Sequence, residues 1–115
     1  MTDITPTSAV LELAKLSRLL DETGFRLHDA ERKAAQKRHD FTVARAKAFL
    51  AADGSVQARE AQATIDTADA RLSADLAEAE LRIIRSDLRT AEKRIDVGRS
   101  VVGVLRAEVE TEKSR

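Results

Sequence analysis

The sequence of 115 residues has no cysteine and few aromatic residues, which make up 3% of the chain and include no tryptophan and no tyrosine. Without cysteine there is no disulfide framework and no thiolate chemistry, a composition that is typical of a reducing compartment. A compact globular core normally uses more large side chains than this chain supplies. The formal net charge is zero, so the average charge provides no attraction to nucleic acid or to anionic lipid.

Long hydrophobic runs are also missing. No stretch approaches the ~20 consecutive apolar residues that cross a bilayer, so we expect no membrane contact. Residues 1–6 lack a basic start followed by an apolar run, so we expect no secretion signal. We interpret these residues as a flexible tail and expect a cytoplasmic protein.

The residues that are abundant favour long helices. Charged residues make up 35% of the chain and apolar residues 43%, and alanine, leucine, arginine, lysine and glutamate together are typical of coiled coils. The only strong break is at Gly54, which can adopt a left-handed conformation, followed by Ser55, which can cap a helix. We therefore predict one domain over residues 7–115, with a helix at about 7–52, a turn at 53–55 and a helix at about 55–112.

Apolar residues recur in alternating steps of three and four in both predicted helices. In the first helix ten of these twelve positions are apolar: Leu13, Leu16, Leu20, Thr23, Leu27, Ala30, Ala34, Lys37, Phe41, Ala44, Ala48 and Ala51. In the second helix they are Ala70, Ala74, Ala77, Leu81, Ile84, Leu88, Ala91, Ile95, Gly98, Val102, Leu105 and Val109. This heptad spacing predicts an all-α fold, a long antiparallel helical hairpin of the coiled-coil type. Gly24 is a weak point at which the first helix could bend.

The second helix carries a further apolar stripe beside this seam. Its members are Ile65, Ala68, Leu72, Leu76, Ala79, Ile83, Val97, Val101 and Val104. A single partner helix needs only one narrow seam. We therefore expect self-association into a homo-oligomer, a dimer or higher, for example two hairpins that form a four-helix bundle.

Charge supports an antiparallel arrangement. If the chain folds back at Gly54, residues at equal distances before and after Gly54 lie opposite each other, an arrangement that we call reflection about Gly54. Reflection places the basic segment 32–47 opposite an acidic segment that contains Glu60, Asp66, Asp69 and Asp75. It also places Asp21 and Glu22 opposite Arg85 and Arg89. Such exposed pairs select orientation and register more than they add stability.

The same reflection leaves residues after about 100 without a partner in the first helix. The predicted binding residues near this end are Val97, Val101, Val102, Val104, Leu105 and Val109. Leaving large apolar side chains in water forgoes roughly 1.5–3 kcal/mol for each. We expect this end to contact a second subunit, to bind a different protein, or to fold back after Gly98 or Gly103.

Catalytic and metal sites are not indicated. His28 and His39 lie roughly 16 Å apart along one predicted helix, too far to share an ion, and we expect no metal and no cofactor. The carboxylates alternate with arginine and lysine at helical spacing, which is typical of a solvated surface. A catalytic carboxylate needs a partly dry pocket, so we expect no enzyme.

Nucleic-acid binding is a second hypothesis. A basic stretch on the second helix contains Arg82, Arg85, Arg89, Lys93, Arg94 and Arg99, which could contact phosphates. Single-strand binders usually add stacking aromatic residues, whereas Phe25, Phe41 and Phe49 are few and follow the seam. Nucleic acid is therefore an alternative partner and not the favoured one.

Two short segments resemble a known group of proteins. They are residues 46–50, which lead into the Gly54–Ser55 turn, and residues 94–100. They are similar to small helical coiled-coil proteins of tailed phages and prophages of actinobacteria, often found among early genes for recombination and single-strand DNA handling. The resemblance implies an accessory or adaptor role in the host cytoplasm. The partners would be further copies of the same chain and a phage or host DNA-metabolism protein. Capture and inhibition of a host protein is the further alternative.

Overall fold

The computed structural model describes residues 5–114, which form three α-helices and no strand. Helix α1 spans Pro6–Ala51, α2 spans Val56–Asp66 and α3 spans Ala68–Lys113. The predicted all-α helical hairpin is confirmed. Of the segment predicted as a flexible tail, residues 1–4 lie outside the described residues.

Helix α1 begins with a reciprocal cap. The Ser8 backbone N–H donates to the Thr5 hydroxyl at 3.1 Å, and the Thr5 N–H donates to the Ser8 hydroxyl at 2.9 Å. These bonds satisfy donors that the first helical turn leaves free, and Pro6 at the first helical position has no N–H to satisfy. Helix α1 then runs through Gly24 without interruption.

The turn between α1 and α2 has the predicted chemistry. Gly54 has a φ of 105°, a conformation that costs little only without a Cβ atom. The Ser55 hydroxyl accepts a hydrogen bond from the Ala58 N–H at 3.1 Å, which caps α2. The chain therefore reverses where the sequence placed the turn.

The second half of the hairpin differs from the single helix that we predicted, because it is interrupted at Thr67. This buried residue has φ −111° and ψ 13°, and its hydroxyl donates to the Ala63 carbonyl at 2.6 Å. A threonine hydroxyl that bonds to the backbone one turn earlier can bend a helix, although the same bond from Thr23 leaves α1 uninterrupted. The break separates α2 from α3.

Contacts divide the described chain into two units, which we describe separately. In the unit Arg26–Ile84, α1 packs against α3 through small and medium apolar side chains. The buried cluster comprises Ala30, Ala34, Ala77, Leu81 and Ile84, with Leu27 half-buried against it. Its alanines allow the two helices to approach closely.

The pairing in this unit is antiparallel, but its register differs from simple reflection. Arg45 donates to Thr64 at 3.1 Å, close to the reflected position. Beyond the Thr67 break, Lys33 pairs with Glu80 at 3.3 Å and Arg38 pairs with Glu78. None of the ion pairs found within residues 5–114 joins the basic segment to its predicted acidic partners, Glu60, Asp66, Asp69 and Asp75. Beyond the interruption, reflection about Gly54 therefore no longer gives the pairing.

The other unit consists of the described residues up to Phe25 and those from Arg85 onward. Its buried residues are Leu16, Thr23, Ala91, Ile95 and Val102. The Thr23 hydroxyl donates to the Leu19 carbonyl at 2.7 Å, which satisfies the polar atom that the seam buries. The ion pairs predicted for Asp21 and Glu22 with Arg85 and Arg89 do not form among the described residues.

The predicted seam matches the burial pattern on both helices. Every seam position is buried or half-buried except Ala51 and Val109. Heptad spacing therefore identified the faces of α1 and α3 that pack within the chain. Within residues 5–114, no helix has a segment long and apolar enough to span a membrane.

Candidate protein-binding surface

Helix α3 carries an exposed apolar face within the unit Arg26–Ile84. We call it the outer stripe and define it by Leu72, Leu76, Ala79 and Ile83. The three large side chains are 57%, 62% and 62% exposed, and Ala79 is half-buried. The side chains therefore remain largely in contact with water in the isolated chain.

The position of the outer stripe follows from helix geometry. Each of its residues lies two positions from a seam residue, such as Leu76 from Ala74 and Ile83 from Leu81. At 100° per residue, two positions correspond to about 160° around the helix when measured the short way. Leu76 and Ile83 also adjoin the seam residues Ala77 and Ile84, so the stripe as a whole lies about 150° from the mean direction of the seam. Because α1 covers the seam side of α3, the outer stripe points away from α1.

Charged residues flank the outer stripe asymmetrically. On one side lie Asp75, with a side chain that is 71% exposed, and Arg82, which is also exposed. Asp75 makes a long pair of 3.9 Å with Arg71 on its own helix. On the other side, Glu80 already accepts a hydrogen bond from Lys33. The flank with Asp75 and Arg82 thus has charges available to a partner.

The residues predicted to bind at the far end of the hairpin are not all accessible. Val102 is buried, whereas Val101 and Leu105 are half-buried. The expectation that residues after about 100 lack a partner in the first helix is therefore wrong for Val102. A Cβ atom added to Gly98 would lie 2.7 Å from Leu13 Cδ2, so this unit also pairs several residues beyond the reflected register.

The rest of the predicted set at this end remains exposed. Val97 and Val104 are 64% and 60% exposed, and Val109 is 38% exposed. Val97 and Val104 are seven residues apart, so they share one face of α3. They provide a smaller apolar row in this second unit.

All the predicted phosphate-contacting residues are exposed: Arg82, Arg85, Arg89, Lys93, Arg94 and Arg99. Helical spacing brings only some of them together. Arg85, Arg89 and Lys93 follow one another at four-residue intervals and share a face. Arg99 lies two heptads after Arg85 and returns to that face, whereas Arg94 projects away from it. Glu92 and Asp96 lie on the same face, among these cations, and reduce its positive charge.

Several exposed apolar residues were missed by the sequence interpretation, and Phe25 and Leu50 are the most exposed of them. Phe25 is 74% exposed, although we grouped it with the seam, and Leu50 is 78% exposed. Leu50 lines a surface groove beside the turn together with Phe41 and Phe49. Phe25 lies two positions from its nearest seam residues, Thr23 and Leu27, which is the signal that could have identified it. Leu50 lies next to Ala51, the exposed last residue of the seam.

The histidines do not form a metal site in the described part of the chain. His28 and His39 are both exposed on α1. Within residues 5–114 there is no group of three histidine, cysteine or carboxylate side chains that could hold an ion.

Comparison of the chain with protein-family models, curated proteins and solved structures gives no match. The resemblance to helical phage proteins therefore stays a prediction.

Proposed function

We propose that this protein is a non-enzymatic, self-associating helical hairpin that acts as an adaptor. The observation that carries the proposal is the exposed outer stripe of α3. One side of this helix packs on α1 while the other presents three large aliphatic side chains to water. Exposed apolar surface of this kind is typical of an interaction site.

The composition of the outer stripe supports a binding role. The chain is 35% charged, yet none of the four stripe residues is charged. Fully burying a leucine or isoleucine stabilises by roughly 1.5–3 kcal/mol, and these side chains are still more than half exposed. Most of that stabilisation is thus available to association and is not used in folding the hairpin.

An adaptor also needs a surface for a different protein. The row of Val97 and Val104 supplies one in the other unit. In this proposal self-association uses the outer stripe, and the second row binds a partner in phage or host DNA metabolism.

Sedimentation equilibrium of the full chain from micromolar to millimolar concentration tests self-association. We expect a reversible dimer or higher oligomer, which is weakened by the double substitution Leu76→Asp and Ile83→Asp. Replacing the exposed Gln36 of α1 by Asp is the matched control and should leave association unchanged. A monomer throughout this range would overturn the proposal.

Nucleic-acid binding is a second candidate function because Arg85, Arg89 and Lys93 share an exposed face and form none of the ion pairs found among residues 5–114. Phosphate binding through three cations would weaken steeply with salt. Gel shifts with single- and double-stranded DNA at two salt concentrations test it, with Arg85→Glu and Arg89→Glu as the disrupting variant. No shift at low salt would exclude this function.

A further inference from the structure

We propose that the outer stripe packs against the same stripe of a second copy, antiparallel, about a two-fold axis that passes between Leu76 and Ala79. The inference rests on the proposed self-association and adds its orientation and register. A two-fold interface is self-complementary, so each contact occurs twice. The stripe and its flanking charges meet that requirement.

The first support is the pairing of side-chain sizes. Each helix of a coiled coil has two rows of core residues. In an antiparallel pair, the first row of one helix faces the second row of the other helix. With the axis between Leu76 and Ala79, Leu76 faces Ala79 of the second copy, and Ile83 faces Leu72 of the second copy. Every large residue of the stripe then contacts an apolar residue, and the central layers pair a large side chain with a small one.

The second support is charge. Asp75 and Arg82 lie on the same flank, seven residues apart and exposed. In the proposed arrangement Asp75 of each copy lies beside Arg82 of the other, which gives two reciprocal ion pairs. A parallel arrangement would instead bring Asp75 towards Glu80 of the second copy, where two negative charges repel.

Charge also selects the register. Sliding the second copy by one heptad in one direction places Arg82 beside Arg82 of the second copy. Sliding it by one heptad in the other direction places Asp75 beside Asp75 of the second copy. Only the central register pairs opposite charges on this flank without a like-charge contact at the axis.

The position of the stripe determines the kind of assembly. Because α1 and the outer stripe lie on nearly opposite sides of α3 in this unit, the second copy cannot contact α1 of the first. The four helical segments would form a flat layer, with the two α3 helices in the middle. This differs from the closed four-helix bundle that the sequence suggested.

Cross-linking tests the orientation, and the chain suits it because it contains no cysteine of its own. The variants Leu72→Cys and Ile83→Cys are prepared separately as full chains and treated with a short bismaleimide, alone and mixed. In the proposed register the thiols at 72 and 83 face each other, whereas two thiols at 72 lie roughly 16 Å apart along the axis. We expect strong cross-linking only in the mixture.

A charge exchange provides an independent readout by sedimentation equilibrium. Asp75→Arg and Arg82→Asp should each raise the dimer Kd by roughly three- to tenfold, as expected for exposed ion pairs. The double variant should return the Kd to within about twofold, because each pair is restored with reversed sign. Circular dichroism of all variants verifies that the exposed substitutions leave the helices intact.

The outcomes separate this inference from the proposed function. A dimer that cross-links through position 72 alone, or that the double exchange does not rescue, would overturn the antiparallel register and leave self-association standing. A dimer that is disrupted by Val97→Asp with Val104→Asp, and not by Leu76→Asp with Ile83→Asp, would move the interface to the other unit. A chain that stays monomeric would overturn both proposals.

Discussion

The two faces of α3 in the unit Arg26–Ile84 differ in a way that composition alone does not suggest. The face against α1 contains Ala74 and Ala77 along with larger residues, and these alanines are at most 6% exposed. The opposite face contains Leu72 and Leu76, which are more than half exposed. Small side chains on the inner face allow close helix packing, while large aliphatic side chains on the outer face remain available to another molecule.

The largest expected effect comes from truncating the same residue type on the two faces. Leu81→Ala removes a side chain that is 4% exposed and should lower the free energy of unfolding by about 2–5 kcal/mol. Leu76→Ala, in dilute solution, should change it by less than about 0.5 kcal/mol, because an exposed side chain leaves no cavity. Urea denaturation followed by circular dichroism measures both.

Equal losses for the two variants would contradict the distinction between the faces, since they would require Leu76 to be buried in the monomer. Repeating the measurement at millimolar concentration sharpens the test. Leu76→Ala should become destabilising there, because association contributes to the stability of the wild type.

A smaller loss of stability is expected when an alanine of the seam is replaced by a larger residue. An alanine outside the seam serves for comparison. Ala34 is 1% exposed, whereas its neighbour Ala35 is exposed. Ala34→Leu should cost about 1–3 kcal/mol, because extra methylene groups force a closely packed core apart. Ala35→Leu is the matched control and should be nearly neutral. If Ala34→Leu instead stabilised the protein, the seam would contain unfilled space and close packing could not explain its alanine content.

Much of the fold was predictable because the relevant signals are local. Gly54 and Ser55 mark the turn through backbone freedom and a capping hydroxyl, and the heptad spacing marks the buried faces. The break at Thr67 was not predictable, since threonine is common within helices and the buried Thr23 makes the same hydroxyl bond inside an uninterrupted α1. The register beyond that break could not be predicted for the same reason. The pairing of Lys33 with Glu80 was therefore not expected.

The candidate site could be predicted only in part. The spacing of Leu72, Leu76 and Ile83 showed a second apolar stripe, and the structure shows that nothing in their own unit covers it. The accessibility of Val102 depended on the register, so the sequence could not establish that it is buried. Phe25 was misjudged because an aromatic residue was taken for a seam residue without regard to its position.

The smallest expected effect is a change in stability when alanine replaces glycine in the other unit. It tests whether the seam there is packed as closely as the seam around Ala34. A Cβ atom at Gly24 would have no neighbour within 4 Å, whereas one at Gly98 would lie 2.7 Å from Leu13 Cδ2. Gly24→Ala should therefore gain up to about 1 kcal/mol from helix propensity. Gly98→Ala should gain less, because the end of the Leu13 side chain must move to admit the methyl group. Thermal unfolding of both variants measures the difference, and equal gains would mean that α1 and α3 approach less closely at Gly98 than at the alanines of the first unit.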